Sequence, residues 1–141
     1  MKIVGLDLGT VTLGIAISDS NRKIAFSKET WRYNESDLAG LADKTLSYLT
    51  NVPTNEVVIG LPRHMNGDIG VSGQRALRFK ELLLERDKEL NIVMWDERLT
   101  TSIALNTIAM TKTSNKAKKR KERVDALAAL NILQSYLDSI K

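Results

Sequence analysis

Asp7, Glu97 and Asp125 are carboxylates at positions where a carboxylate is costly. Asp7 lies inside the apolar first strand of GLDLGTVTLGIAISD, Glu97 closes the run IVMWDERLTT, and Asp125 falls in the opening turns of ERVDALAAL. Near a strand end, or early in an apolar helix, such a group needs a cation to meet it. Hard divalent cations, Mg²⁺ above all and Mn²⁺ as its substitute, take carboxylate oxygens and keep positions for water and phosphate oxygens. The chemistry suggested is metal-assisted phosphodiester hydrolysis, with Asp7 bridging two ions. Water activated by metal is nucleophile enough, so the single histidine, His64, is left out of the catalytic set as a surface or substrate-contacting residue. Asp96 competes with Glu97. Alternation along IVMWDE sends the two side chains to opposite faces, so only one can join Asp7, and the residues alone leave that choice open.

Composition narrows the classes. The 141 residues suit one domain spanning 1–141. There is no cysteine, which excludes disulfides, thiolate nucleophiles and cysteine-based zinc sites; one histidine excludes multi-histidine metal centres. The start MKIVGLDLG has no signal-peptide architecture, and no apolar run reaches membrane-spanning length. A cytoplasmic protein without a membrane partner is expected. The net charge of +4 is modest but concentrated: Lys116, Lys118, Lys119, Arg120 and Lys121 lie between Lys112 and Arg123, against Glu122 alone. Such a cluster fits a nucleic-acid backbone, the bland alternative being a solvated loop tip. Arg98 either pairs with Asp96 or contacts phosphate. Thr100 and Thr101 read as helix-cap residues whose free N–H groups also suit an anion.

These side chains need elements to hold them. Residues 2–8, 13–19 and 23–31 read as an antiparallel meander. Leu38, Leu41, Ala42, Leu46 and Leu49 follow helical spacing behind an N-cap at Asn34 or Ser36, and the helix stops before Val52-Pro53. A short strand at 56–60 leads into the turn-rich LPRHMNGDIG. An amphipathic helix follows, with Ala76, Phe79, Leu82, Leu83 and Leu90 on one face, then a strand at 92–95. A helix is expected from Thr100 or Thr101 through Ile103, Ala104 and Ile108. The last helix covers about 122–139, with a buried stripe of Ala126, Leu130, Leu133, Leu137 and Ile140. At about 100° per residue Asp125 falls roughly 100° from that stripe's centre, at the rim of the packed face. Meander followed by strand–helix alternation means an α/β mixed sheet flanked by helices, with sites beyond the strands' carboxyl ends, where Asp7 and Glu97 lie. Gly5, Gly9 and Gly14 are wrongly spaced for a dinucleotide loop, and a strand follows them where a helix would be needed.

The motifs GLDLGTVTLGIAISD, VVIGLPRHMNG, DERLTT and VDALAALNILQSYL, in that order and spread over nearly the whole chain, resemble the YqgF/RuvX family of pre-16S ribosomal RNA nucleases and Holliday junction resolvases. The resemblance implies a ribonuclease H-like fold shared with the RuvC resolvases, a five-stranded sheet in order 3-2-1-4-5, and catalytic, metal-holding roles for Asp7, Glu97 and Asp125. It selects Glu97 over Asp96. Two positions depart from the family's pattern: Thr12 stands where DxGxxRIG has arginine, and Asn66-Gly67 stands where the loop usually reads Asp-Gly. Both reduce charge near the site without touching the three acids.

The leading expectation is a Mg²⁺-dependent endonuclease acting in 5′ maturation of pre-16S ribosomal RNA, with ribosomal particles as candidate partners and a monomer favoured over a dimer. A resolvase acting on branched DNA is the runner-up, and it would require a symmetric dimer. A non-catalytic ribosome-assembly factor comes third. An actin-like ATPase or sugar kinase shares the DLGT hairpin but needs two such domains around its cleft.

Overall fold

A computed structural model describes residues 1–100 and 117–140, with the side chains of residues 117–126 outside that description. Strands β1 (Ile3–Leu8), β2 (Thr12–Ser18) and β3 (Ala25–Arg32) form the meander. Helix α1 (Leu38–Leu49), strand β4 (Glu56–Leu61), helix α2 (Val71–Arg86) and strand β5 (Asn91–Asp96) alternate after it. A 3₁₀ turn follows at Glu97–Leu99, and α3 (Ala117–Ser139) is the last described helix. The sheet order is β3-β2-β1-β4-β5, with β4 parallel to both β1 and β5. This is the order that the resemblance implies.

Strand alternation sorts the core into two layers. Val4, Leu6, Leu8, Val57, Ile59 and Leu61 point to α1 and α2, packing with Phe79 and Leu83. Ile3, Ala16 and Val58 point the other way, to Ala129, Ile132, Leu133 and Leu137 of α3. Helix α1 is capped by Asp37, which accepts from the Gly40 N–H at 3.0 Å, and not by Asn34 or Ser36. Asn34 spends its side chain on a local turn, accepting from the Ser36 N–H. Strand β3 begins at Ala25, not residue 23, because Asp19 accepts from the N–H groups of Lys23 and Ile24 and holds both in the turn. Leu90 is buried, but it lies beyond the end of α2, just before β5.

Helix α3 is described from Ala117, five residues before the expected start, so Lys118–Lys121 lie on a helix and not in a loop tip. Its buried stripe also differs from expectation. Ala129, Ile132, Leu133 and Leu137 are buried, whereas Leu130 is only partly so and Ile140 is 47% exposed. A heptad stripe suits a narrow helix–helix seam; a sheet presents a broad surface and takes the wider i, i+3, i+4, i+8 face. Ala126 lies outside the described side chains. The helix expected from residue 100 or 101 to 108 lies, from 101 on, outside the described residues.

Candidate active site

Asp7 is the one residue of β1 that is not buried. Its face is fixed by its neighbours. Ile3 packs in the α3 layer, and a Cβ added at Gly5 would stand 2.7 Å from Leu133 Cβ, so residues 3, 5 and 7 look towards α3. In the antiparallel register Asp7 lies opposite Gly14 of β2. On the other side, the parallel register runs Gly5↔Val58 and Leu6↔Ile59, which carries Asp7 to the level of Gly60. A glycine on each flank leaves Asp7 uncovered by either neighbouring strand. The turn beyond it is tied down: Gly9 N–H donates to the Thr12 carbonyl at 2.8 Å, and the Tyr33 hydroxyl donates to the Gly9 carbonyl at 2.5 Å.

Glu97 reaches the same corner from β5. Its Oε2 lies 2.8 Å from where a Gly60 Cβ would be, with Ile132 Cδ1 on the same spot at 2.5 Å. Glu97 therefore lies over β4, on the α3 face, one strand spacing (about 5 Å) from the line of Asp7. Only glycine at position 60 leaves room for it. The turn that carries Glu97 is anchored twice. Thr100 donates its hydroxyl to the Glu97 carbonyl at 2.7 Å, and Ser135 of α3 donates to the Leu99 carbonyl while accepting from Trp95 Nε1, both at 3.1 Å. No hydrogen bond or ion pair reaches the Glu97 carboxylate among the described residues. Burial, helped by the negative charge of Asp96, pushes its pKa above the ordinary glutamate value. A half-buried carboxylate with a raised pKa and no partner among the described residues suits a cation.

Asp96 is spoken for. Arg98 grips it with two prongs, Nη2 at 2.7 Å and Nε at 3.0 Å, and adds its backbone N–H at 2.9 Å. These bonds hold the Asp96 carboxyl below its usual range. Of the two acids in the DER motif, only Glu97 is placed on Asp7's side of the sheet.

The third acid follows from the course of α3. Tyr136 donates to Glu56 Oε2 at 2.7 Å, at the start of β4, while Ala129 and Leu133 lie over Gly5 in mid-β1. The helix thus runs antiparallel to β1, with its earlier residues towards the strand's carboxyl end. From Ala129 back to position 125 is a rise of about 6 Å, and from Gly5 to Asp7 about 6.6 Å. Helix position 125 stands level with Asp7, one turn from Ala129 on the observed sheet-facing stripe. On that stripe it falls nearer the packed face's centre than the rim inferred from heptad spacing. Among the described residues no three potential metal ligands come together; Asp7 and Glu97 supply two, and the Asp125 side chain lies outside them.

The remaining candidates are distributed as follows. Arg98 is committed to Asp96, and Thr100 to the turn that holds Glu97. Thr101 and Lys116 lie outside the described residues; Lys118, Lys119, Arg120 and Lys121 occupy the first turns of α3, and their side chains lie outside the description. His64 is exposed in the loop after β4, its Nε2 over Gly70. Thr12 is buried against the Gly9 turn. Asn66 closes a local turn, accepting from the Asp68 N–H at 3.0 Å. Gly60, Tyr33, Arg63 and Ser135 were not singled out from the sequence. The isolated Gly60 inside the apolar run EVVIGL was the one legible sign, since a glycine within a strand often marks a close approach.

Such a sheet, with α1 and α2 on one face, α3 on the other and carboxylates at the ends of β1 and β5, defines a ribonuclease H-like domain of the RuvC type. Solved structures bear this out as a fold. Thermus thermophilus RuvC in complex with a Holliday junction substrate aligns with a TM-score of 0.59 at 14% identity, covering 100% of this chain and 97% of that one. The fowlpox virus resolvase with its Holliday junction DNA aligns at 0.58 and 12% identity, covering 99% of each. The chain belongs to the RuvX family, whose model, described as a Holliday junction resolvase, matches residues 1–139. Relatives from Staphylococcus carnosus (41% identity, 99% of this chain and 97% of theirs) and Staphylococcus aureus (43%, 99% and 96%) carry the name "Putative pre-16S rRNA nuclease".

Proposed function

We propose that this protein is a metal-dependent endonuclease that trims a ribosomal RNA precursor. The observation that carries the reading is the placement of Asp7 and Glu97 over neighbouring strands on one face, with α3 position 125 at the same level. The names of the family and of its relatives support a nuclease. The donor set is all-oxygen, as Mg²⁺ or Mn²⁺ requires, and Glu97 has no competing cation among the described residues. Asp7, Glu97 and Asp125 would hold such an ion, which would activate a water and neutralise charge on the leaving oxygen.

The chain's own residues do the rest. Gly60 leaves the room that the Glu97 carboxylate takes beside Asp7. Thr100 and Ser135 hold the turn that aims Glu97. Lys118, Lys119, Arg120 and Lys121 crowd the start of α3, whose first turn has no acid, an arrangement opposed by the helix dipole and relieved by a polyanion. The corner lies beyond the strands' carboxyl ends and suits a flexible single strand, so one site per molecule is enough. The test is a parallel assay of wild type on single-stranded precursor RNA and a four-way DNA junction, with Mg²⁺, Mn²⁺ or chelator, alongside sedimentation. Metal-dependent cutting of the RNA by a monomer is expected. A tight dimer that nicks the junction symmetrically and spares the RNA would replace this reading with junction resolution, and cleavage unaffected by chelator would overturn metal dependence.

A further inference from the structure

Arg63 follows Pro62 in the loop that leaves β4 just past Gly60, and it has been given no role so far. It is one of two guanidinium groups beside a single carboxylate. Arg98 is hydrogen-bonded to Asp96 through Nε and Nη2, whereas Arg63 Nε stops at 3.8 Å from Asp96 Oδ2, too long for a hydrogen bond. Arg63 Nη1 donates to the Gly67 carbonyl at 3.1 Å, which steadies the side chain against its own loop. Its Nε and Nη2, the edge that accepts carboxylate or phosphate as a fork, make no hydrogen bond among the described residues. The side chain is one-third exposed and lines a groove with His64 and the Gly70–Gly73 start of α2. Asp96 is the register partner of Leu61 and directly precedes Glu97, so this groove and the carboxylate corner lie at the same, carboxyl, end of the sheet, on opposite faces. Two cations around one anion leave the Arg63–Asp96–Arg98 cluster with a net positive charge.

We propose that Arg63 grips a backbone phosphate of single-stranded RNA next to the one being cleaved, and that Asp96 holds the grip poised by attracting Arg63 without bonding it. Arg98 stays anchored on Asp96, while Arg63 exchanges a long ion pair for a two-pronged phosphate contact. The proposal rests on the nuclease reading above, and its test needs binding only, not cleavage.

Binding of a fluorescent single-stranded RNA oligonucleotide is measured by anisotropy in chelator across a range of salt, for wild type, R63Q, R63K, D96N and R63Q/D96N. For R63Q the log–log salt slope is expected to fall by about 0.7, the share of one single-strand phosphate, with several-fold weaker binding near physiological salt. R63K, still a cation, should recover the slope. D96N, by removing the internal competitor, should tighten binding several-fold, and that gain should at least halve in the R63Q background, as coupled sites require. An unchanged slope in R63Q, or a D96N gain equal in both backgrounds, overturns the proposal and makes Arg63 a strut of its loop. If wild type binds RNA with no salt dependence at all, the nuclease reading fails and the grip with it. Melting curves for each variant identify any that fail to fold. Should R63Q be one, R63M takes its place in the same slope comparison, with the same expected fall and the same overturning result.

Discussion

Gly60→Ala tests whether the Glu97 carboxylate has to stand over β4. The new methyl group would meet Ile132 Cδ1 at 2.5 Å and Glu97 Oε2 at 2.8 Å, where ordinary contact begins at 3.4 Å. Both neighbours must retreat, with different consequences. Ile132 is buried, and forcing it aside is overpacking, which costs about 1–3 kcal/mol. With an unfolding entropy of roughly 2.1 cal/mol/K per residue, that loss lowers Tm by about 3–10 °C. Glu97 is the loose end of a chain and yields cheaply, but it yields away from Asp7. Displacing a reacting group by something under an ångström costs on the order of 10–100-fold in rate. The double variant Gly60→Ala/Ile132→Val separates the two effects, because valine lacks the Cδ1 that collides. It should regain most of the lost Tm while its metal-dependent cleavage stays depressed. Calorimetry and single-turnover cleavage on the same preparations measure both. If Gly60→Ala cuts RNA at the wild-type rate, or if Ile132→Val restores rate and stability together, Glu97 has no required place over Gly60 and the argument for its role fails.

Three further outcomes are expected. The folded protein holds the Glu97 proton to higher pH than the unfolded chain does, so wild type loses stability as pH rises from the ordinary glutamate value of 4.5 through the raised one. Glu97→Gln cannot ionise, and its Tm in chelator should exceed that of wild type at neutral pH and converge with it below pH 4.5; a constant gap across that range would count against the shift. Asp7→Asn and Asp125→Asn should each remove Mg²⁺-dependent cleavage while the circular dichroism spectrum stays native, and retention of cleavage in either would strike it from the ligand set. Replacing Lys116, Lys118, Lys119 and Lys121 together by Gln should reduce the salt slope of RNA binding by up to about 3, at roughly 0.7 per phosphate. An unchanged slope would return that stretch to a solvated surface.

What the sequence revealed and what it hid divide along physical lines. The five strands and three described helices were legible because period-2 and period-3.6 patterns are local properties. Asp7 and Glu97 were legible as acids out of place in apolar runs. The sheet order was not, since register between distant strands depends on contacts that no local pattern records; it came from resemblance alone. The choice between Asp96 and Glu97 was also closed to the residues themselves. It turns on where β5 gives way to the 3₁₀ turn and on the empty space above Gly60. The cap of α1 shows the same limit. Asn34, Ser36 and Asp37 are all competent caps, and Asn34 is diverted by a two-residue turn of its own. In α3 a regular heptad of leucines was visible, but the sheet selects a broader stripe through Ala129 and Ile132, two residues the heptad omits.

Three consecutive side chains of α3 tie it to the sheet and its loops. Gln134 accepts from the Ala25 N–H and donates to the Lys23 carbonyl, Ser135 bridges Trp95 and Leu99, and Tyr136 grasps Glu56. Measured from Ser135, position 125 lies about 15 Å along the helix axis. Any reorientation of the helix about that stretch grows with distance along its axis. A tilt of about two degrees displaces position 125 by roughly half an ångström over that length. Position 125 is therefore sensitive to changes at the far end of the sheet. Tyr136→Phe or Glu56→Gln removes one of these ties, at the end of the helix remote from position 125. A substitution at such a remote position can thus shift position 125 while Asp7 and Glu97 stay unchanged.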